Sequence, residues 1–423
     1  MALLVGGTSP ERQVSKMSGK GILQALKSLQ YPTVIIDPAY GLNQPKEEEQ
    51  FFSEKDFAEI SNRNCIDAIN SELLNGVDVV FSAMHGKWAE DGTIQSLLEL
   101  RGLKYTGSKV LASALAMDKE MSKVIFRQTG VQTADWFTVK ERSFEPVLIA
   151  DEIKQRFGFP CIIKANDQGS TVGLKIVQDE SEVEEGIVIA QQYSNKALIE
   201  KYIPGRELTV AILLNEALPV LEIVPKSGFY DYKHKYTSGM SEYIVPANIP
   251  EEVAQKAQQQ ALLAFHSLGC EGYSRVDFRM NAQNELYCLE VNTLPGMTAT
   301  SLVPKAAKAV GISFEELIRK NNSAGTLMAT GKRKSIFYLF IVIVVIGIIF
   351  TFFNERGVIK YFGLKSQVDS MQVELEKVKL ENDRLKNEID SLHKKIPAKM
   401  EQVAREKYNM KREGEIKIEV EEK

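Results

Sequence analysis

Cysteine is scarce in this chain: Cys65, Cys161, Cys270 and Cys288 lie far apart, and none belongs to a CxxC pair. That excludes a disulfide framework and a zinc knuckle, and it suits a reducing compartment. A dominant charge sign is also missing. With 52 basic against 56 acidic residues among 423, there is no global cationic field to attract nucleic acid. The opening MALLVGG lacks the basic region, long apolar stretch and cleavage site of a secretion signal, so residues 1–330 are expected to stay in the cytoplasm. What is present is length, 44% hydrophobic residues and 26% charged ones, which predicts two to four folded units rather than a disordered chain.

Up to about residue 322, short apolar runs at 79–82, 161–164, 209–214 and 285–290 alternate with helical patterns, punctuated by glycine and proline. This predicts a mixed α/β enzyme. The stretch 321–334, NNSAGTLMATGKRK, is small and polar with a basic end, and a linker is placed over 323–335. Residues 335–354 then carry no charged side chain, and 336–353 is predicted to be a transmembrane helix, about 27 Å long at 1.5 Å per residue. Arg319, Lys320, Lys332, Arg333 and Lys334 precede it, against Arg356, Lys360 and Lys365 after it. That bias puts the enzyme in the cytoplasm and the rest outside, with one span of the bacterial membrane between.

The last 70 residues hold 16 Lys/Arg and 15 Asp/Glu, a density that suits a solvated helix. Within them Leu364, Val368, Met371, Leu375, Val378, Leu385, Ile389, Leu392 and Ile396 recur at alternating spacings of four and three, which predicts a coiled coil over 361–396. Asn382 occupies one seam position, where a buried amide pair fixes register at some cost in stability. Pro397 is expected to end the run.

Several clusters suggest chemistry. GGTSPERQVSKMSG, residues 6–19, reads as a strand, a Gly-Gly turn and a helix start carrying Glu11; glycine turns after strands are also common structural features. His85, in AMHGKWAEDGTIQ, projects from a strand end and reads as structural or functional. Lys119 and Lys164, the latter followed by the loop NDQGSTVG, offer point charges and backbone N–H groups for phosphate oxygens, although no GxxxxGK[ST] loop is present. Glu200 and Glu207 flank a Pro-Gly turn and suit a ribose and an adenine edge, or simple surface pairing. Asp277, Glu290 and Asn292 are hard oxygen ligands on what read as adjacent strands, the donor set Mg2+ prefers. Arg275, two residues before Asp277, faces the same side of its strand and could stabilise charge on a transferred phosphate.

Together with YTGS, MDK, QGSTVG, FYDYKHKY and LEVNTLPGMT, these segments closely resemble D-alanine:D-alanine ligases of the ATP-grasp superfamily, over residues 1–322. The resemblance implies an α/β fold of three subdomains, at 1–107, 108–205 and 206–322, with ATP held between the second and third. It implies phosphate binding by Lys119 and Lys164, nucleoside contacts from Glu200, Lys201, Ile203 and Glu207, and two Mg2+ or Mn2+ ions on Asp277, Glu290 and Asn292. Glu11 and His85 match the site of the first D-alanine, and Ser301 and Leu302 that of the second. Arg275 and Gly296 match the groups around the acyl phosphate. Ser170 and Tyr236 match loop residues that close the site with Glu11, on a loop spanning 227–246. A tyrosine at the position of Tyr236 implies an amine acceptor rather than D-lactate; a ligase using D-serine or D-lactate as acceptor is the alternative reading. Ala165, Asp167, Gln168 and Leu294 depart from the family's usual residues without removing a ligand. The chain opens almost on its first strand, so that strand is short or the true start lies upstream.

Residues 332–423 resemble the septum formation initiator family of division proteins, through the span, the coiled coil and the tail residues Glu401, Ala404, Arg405, Tyr408, Met410, Gly414 and Glu415 over 397–423. This implies pairing with a second single-span division protein. It also implies strand addition to a further partner through Ile416, Ile418 and Val420. Ligases of this kind are commonly homodimers. The join, with Met328 where a free-standing division protein would begin, reads either as a genuine fusion tethering precursor synthesis to the septum or as a gene-model artefact. A scaffold with an inactive ligase part is the remaining alternative.

Overall fold

Strand β1 (Ala2–Leu4) is buried on both faces, which explains its lack of any polar residue, and it pairs in parallel with β2 (Val34–Ile36) and β3 (Val80–Ser82). The computed structural model describes residues 1–226, 241–298, 300–322, 340–346, 350 and 358–416. Two units divide the chain, 1–332 and 333–423.

The first unit holds three sheets. Helix Arg12–Ser28 buries Ile22, Leu23 and Leu26 against the three-stranded sheet β2-β1-β3, in a core that also takes in Val303, Leu317 and Ile318 from the end of the unit. A four-stranded antiparallel sheet has the order β4-β7-β5-β6, with β4 (Trp136–Val139), β5 (Cys161–Ala165), β6 (Leu174–Val177) and β7 (Ala197–Lys201). Helix Val183–Gln191 covers it through Val183, Ile187 and Ala190.

The third sheet is built on the antiparallel path β11-β10-β8-β12-β13. Its strands are β8 (Arg206–Leu213), β10 (Leu221–Pro225), β11 (Ser241–Ile244), β12 (Tyr273–Met280) and β13 (Leu286–Asn292), with β9 (Glu216–Ala217) paired to β8. Helix Glu251–Ser267 packs on this sheet through Ala257, Ala261, Ala264 and Phe265. Helices Val110–Met117 and Lys119–Thr129 join the same core through Ala112, Ala116 and Phe126, although they precede the four-stranded sheet in sequence. Asp118 caps the second of them, accepting from the Met121 N–H at 3.1 Å, a contact worth about 1 kcal/mol.

All four cysteines are free and buried. Burial pushes the Cys65 thiol up to about 11 and those of Cys161 and Cys270 up to about 12, so none is a ready nucleophile.

In the second unit, helix Val358–His393 is 36 residues long and leaves its apolar seam open, with Val368 50% and Leu385 50% exposed. The helix ends at His393, three residues before the predicted end of the coiled coil at 396. Lys395 adopts a positive φ of 51°, and Pro397 opens a new helix, Pro397–Tyr408, at a first-turn position where its missing N–H costs nothing. The tail motif is explained locally: Arg405 pairs with Glu401 and Glu415, both at 2.7 Å, while the Met410 N–H donates to the Ala404 carbonyl.

Among the described residues no helix is long and apolar enough to cross a membrane. Of the span expected at 336–353, only 340–346 and 350 are described, and these are helical. The linker at 323–335, Tyr236 and the tail residues Ile418 and Val420 lie outside the described residues. The expected closing loop 227–246 is described only from 241, where it forms β11 on the edge of the third sheet rather than a loop.

Candidate active site

Two cavities meet inside the first unit. The first lies between the four-stranded sheet and the third sheet, with apolar walls from Ile162, Val172, Leu174, Ile203 and Leu289. Lys164, Glu200, Lys201 and Glu207 supply its polar groups. The second is lined by Glu11, His85, Arg275, Asn292, Gly296, Ser301 and Leu302. Lys119, Gly169, Ser170, Glu207, Asp277 and Glu290 line both, so the cavities open into one another there. Every described residue expected at the substrate, nucleotide or metal site lines one cavity or the other.

Strand register explains the convergence. Asp277 on β12 faces Glu290 on β13, and Arg275 faces Asn292, so the oxygen donors share one face of neighbouring strands. Asp277 accepts two hydrogen bonds from Arg275, at 2.9 and 2.8 Å, and one from Thr209 at 2.7 Å. Lys119 lies 3.2 Å from Glu290 and donates to the Gln168 carbonyl at 2.6 Å. Two carboxylates and an amide are hard oxygen donors that leave coordination positions for phosphate, so this set fits a divalent cation such as Mg2+. Among the described residues no group of three acids, histidines or cysteines gathers to hold a metal without such help.

At the inner wall, Glu200 sits 3% exposed between two lysines. Lys164 donates to one oxygen at 2.5 Å, and Lys123, fully buried, pairs with the other at 2.9 Å. Burial by itself would raise the Glu200 carboxyl, but the charges of Lys123 and Lys164 outweigh it and hold it at about 2. Lys123 also donates to Thr133 at 2.7 Å. Sequence reasoning missed Lys123. Its one signal was its place four residues after Lys119, on the same helix face.

Glu11 closes the front of the second cavity by accepting a hydrogen bond from Ser170 on the glycine-rich loop. Room for its carboxylate depends on two glycines: a Cβ at Gly86 would sit 2.7 Å from Glu11 Oε2, and one at Gly169 3.0 Å. Ser170 and Thr171 both have positive φ, which bends the loop tightly beneath Glu11.

His85 is 5% exposed and bonded through both ring nitrogens. Its Nδ1 lies 2.9 Å from the Leu294 carbonyl, so that nitrogen carries the donated proton and Nε2 accepts from Ser18 at 3.1 Å. Glu90, also missed in sequence, stands 3.4 Å from Nδ1. Gly296 is pressed toward Ser301, whose Oγ would lie 3.0 Å from a Cβ there. Ser301 is the N-cap residue of helix Leu302–Ala309.

An apolar slot ending in two lysines, and a second chamber reached past carboxylates and an arginine, is the layout of a nucleotide-dependent acid ligase. The comparisons agree. Residues 1–108 match the D-ala D-ala ligase N-terminus family, 125–321 the D-ala D-ala ligase C-terminus family, and 343–423 the Septum formation initiator family. A D-alanine–D-alanine ligase of Syntrophotalea carbinolica is 41% identical over 76% of this chain and 94% of its own length; one from Pelotomaculum thermopropionicum is 42% identical over the same shares. Among solved structures, a Bacillus anthracis D-alanine–D-alanine ligase complexed with ATP superposes with a TM-score of 0.61 at 31% identity, covering 77% of this chain and 96% of that one. The VanG D-Ala:D-Ser ligase of Enterococcus faecalis gives 0.64 at 28% identity, with 77% and 98% covered. The chain belongs to the D-alanine–D-alanine ligase family, an enzyme family, and carries a septum formation initiator domain at its C-terminal end.

Proposed function

We propose that this chain uses ATP to join two D-alanine molecules into D-alanyl-D-alanine for peptidoglycan precursors, and that a span at 336–353 holds it in the bacterial membrane at the division site. The observation that carries the reading is the wall shared by the two cavities, where Lys119, Asp277 and Glu290 stand between a nucleotide-shaped slot and the chamber of Glu11, His85 and Ser301. The γ-phosphoryl group passes to the first D-alanine's carboxylate, releasing ADP. The second D-alanine's amine, having lost its ammonium proton, then attacks the acyl carbon and phosphate leaves.

Lys119 and Lys164 neutralise the phosphates, and Glu200, Lys201, Ile203 and Glu207 hold the nucleoside. Glu11 and His85 orient the first substrate; Ser301 and Leu302 receive the second. Arg275 and the Gly296 backbone face the developing oxyanion. Asp277, Glu290 and Asn292 would hold Mg2+ or Mn2+, two ions, which when bound supply further charge neutralisation around the phosphates. Ser170, with Tyr236, excludes water from the acyl phosphate. The ligase part forms a homodimer, and the coiled coil pairs with a second single-span division protein.

Cell fractionation with one antibody against 1–320 and another against 360–423, followed by a dipeptide assay of the membrane fraction, tests this. A single membrane band of 47.4 kDa seen by both antibodies, with ATP-dependent dipeptide formation, is expected. Two separate products would remove the tethering, and a membrane-bound chain that makes no dipeptide would remove the ligase reading. Offering D-serine in place of D-alanine decides the acceptor.

A further inference from the structure

Lys305 is a cation without an assigned task. It lies on helix Leu302–Ala309, one turn beyond Ser301, and lines the second cavity with Arg275, Gly296, Ser301 and Leu302. Residues four apart share a helix face and long side chains lean toward the N-terminus, so the ammonium is carried back over the helix start. There it donates to the Thr300 carbonyl and stands 4.8 Å from the centre of the Tyr243 ring. Among the described residues no carboxylate lies within ion-pair distance of Lys305.

An ammonium resting on a carbonyl and an aromatic face keeps part of its bonding capacity for an anion. Among the described residues most other cations at the site are occupied: Arg275 by Asp277, Lys119 by Glu290, and Lys164 by Glu200. Lys20 lines the same cavity but is exposed, where solvent screens it. Burial pushes the Lys305 ammonium below its ordinary value, the direction expected where no acid offsets desolvation.

We propose that Lys305 binds the carboxylate of the acceptor amino acid, and so selects acceptors that carry a free carboxylate beside the attacking amine. The inference rests on the ligase reading above. The amine must point at the acyl carbon near Arg275 and Gly296, so the acceptor's other end faces the start of this helix. Ser301 is a neutral partner for that carboxylate; among the described residues at this helix start, Lys305 supplies the positive charge.

The test compares two acceptors in the full chain purified in detergent. D-alanine carries a carboxylate. Hydroxylamine does not; its nitrogen attacks the acyl phosphate, releases inorganic phosphate and leaves a hydroxamate. In Lys305→Met the KM for D-alanine as acceptor should rise roughly ten- to a hundredfold, the loss of one hydrogen bond between charged groups. Hydroxamate formation, and the donor-site KM read from it, should stay within about twofold of the parent. Lys305→Arg, which keeps the charge, should recover most of the acceptor KM. Equal losses with both acceptors would mark a structural role and overturn the inference, as would an unchanged acceptor KM. A parent chain that forms neither hydroxamate nor dipeptide would overturn the ligase reading, and this inference with it.

Discussion

Replacing Glu200 by glutamine would expose how the nucleotide slot is held together. The carboxylate is 3% exposed, takes a hydrogen bond from Lys164 at 2.5 Å and pairs with Lys123 at 2.9 Å. An amide keeps the shape and removes the charge, leaving two buried ammoniums side by side with one acceptor oxygen between them. Breaking a buried ion pair by removing one partner costs about 3–5 kcal/mol, a large part of the roughly 5–15 kcal/mol that holds a domain folded. If repulsion is the cause, removing the stranded Lys123 as well should restore stability. The double variant E200Q/K123M should then be more stable than E200Q alone, with a coupling of about 1–3 kcal/mol. Urea unfolding followed by tryptophan fluorescence reads this directly. Trp88 and Trp136 are the two tryptophans of the chain, both in the ligase unit, and the Trp136 ring centre lies 5.4 Å from the Lys123 ammonium. An E200Q midpoint equivalent to less than about 0.5 kcal/mol of loss, or strictly additive losses in the double variant, would refute the reasoning.

Acid should act through the same residue. The folded Glu200 carboxyl is held at about 2 against an ordinary 4.5, so its contribution is fully present above pH 4.5 and disappears as pH falls from there toward 2. E200Q should flatten the fall in stability over that window by up to about 1.4 kcal/mol per pH unit, measured by unfolding at stepped pH. An unchanged slope would contradict the pairing. Glu290→Ala removes the partner of Lys119 and one oxygen donor beside Asp277. It should abolish ATP-dependent dipeptide formation while leaving circular dichroism as in the parent; normal turnover would disprove the metal assignment. Asn382→Val should strengthen the coiled coil and loosen its choice of partner. Crosslinking that gives the parental oligomer pattern would place Asn382 outside the seam.

The amino-acid sequence by itself determined most of the elements and pointed to residues that the fold gathers around the two cavities. The short apolar runs at 161–164 and 285–290 lie within β5 and nearly within β13, because an apolar run bounded by turn residues is a local property. Asp277, Glu290 and Asn292 were readable because two adjacent strands put them on one face. The heptads from Leu364 to Leu392 fall within one continuous helix for the same local reason.

Packing decided what local periods do not encode. Helices Val110–Met117 and Lys119–Thr129 cover the third sheet rather than the four-stranded sheet that follows them, because Ala112, Ala116 and Phe126 belong to the same buried cluster as Val276 and Phe265. That placement drives Lys123 into a dry site beside Glu200, 77 residues away in the chain yet 2.9 Å in space. Glu11 reaches Ser170 across 159 residues, and His85 reaches Leu294 across 209. Nothing in the spacing of a lysine says whether it will meet an acid, a carbonyl or water. Lys123 and Lys305 look alike in the sequence; one closes a buried ion pair and the other rests on Tyr243 and the Thr300 carbonyl. The difference is desolvation together with the partner that tertiary packing supplies, and both exist only once the sheets have come together.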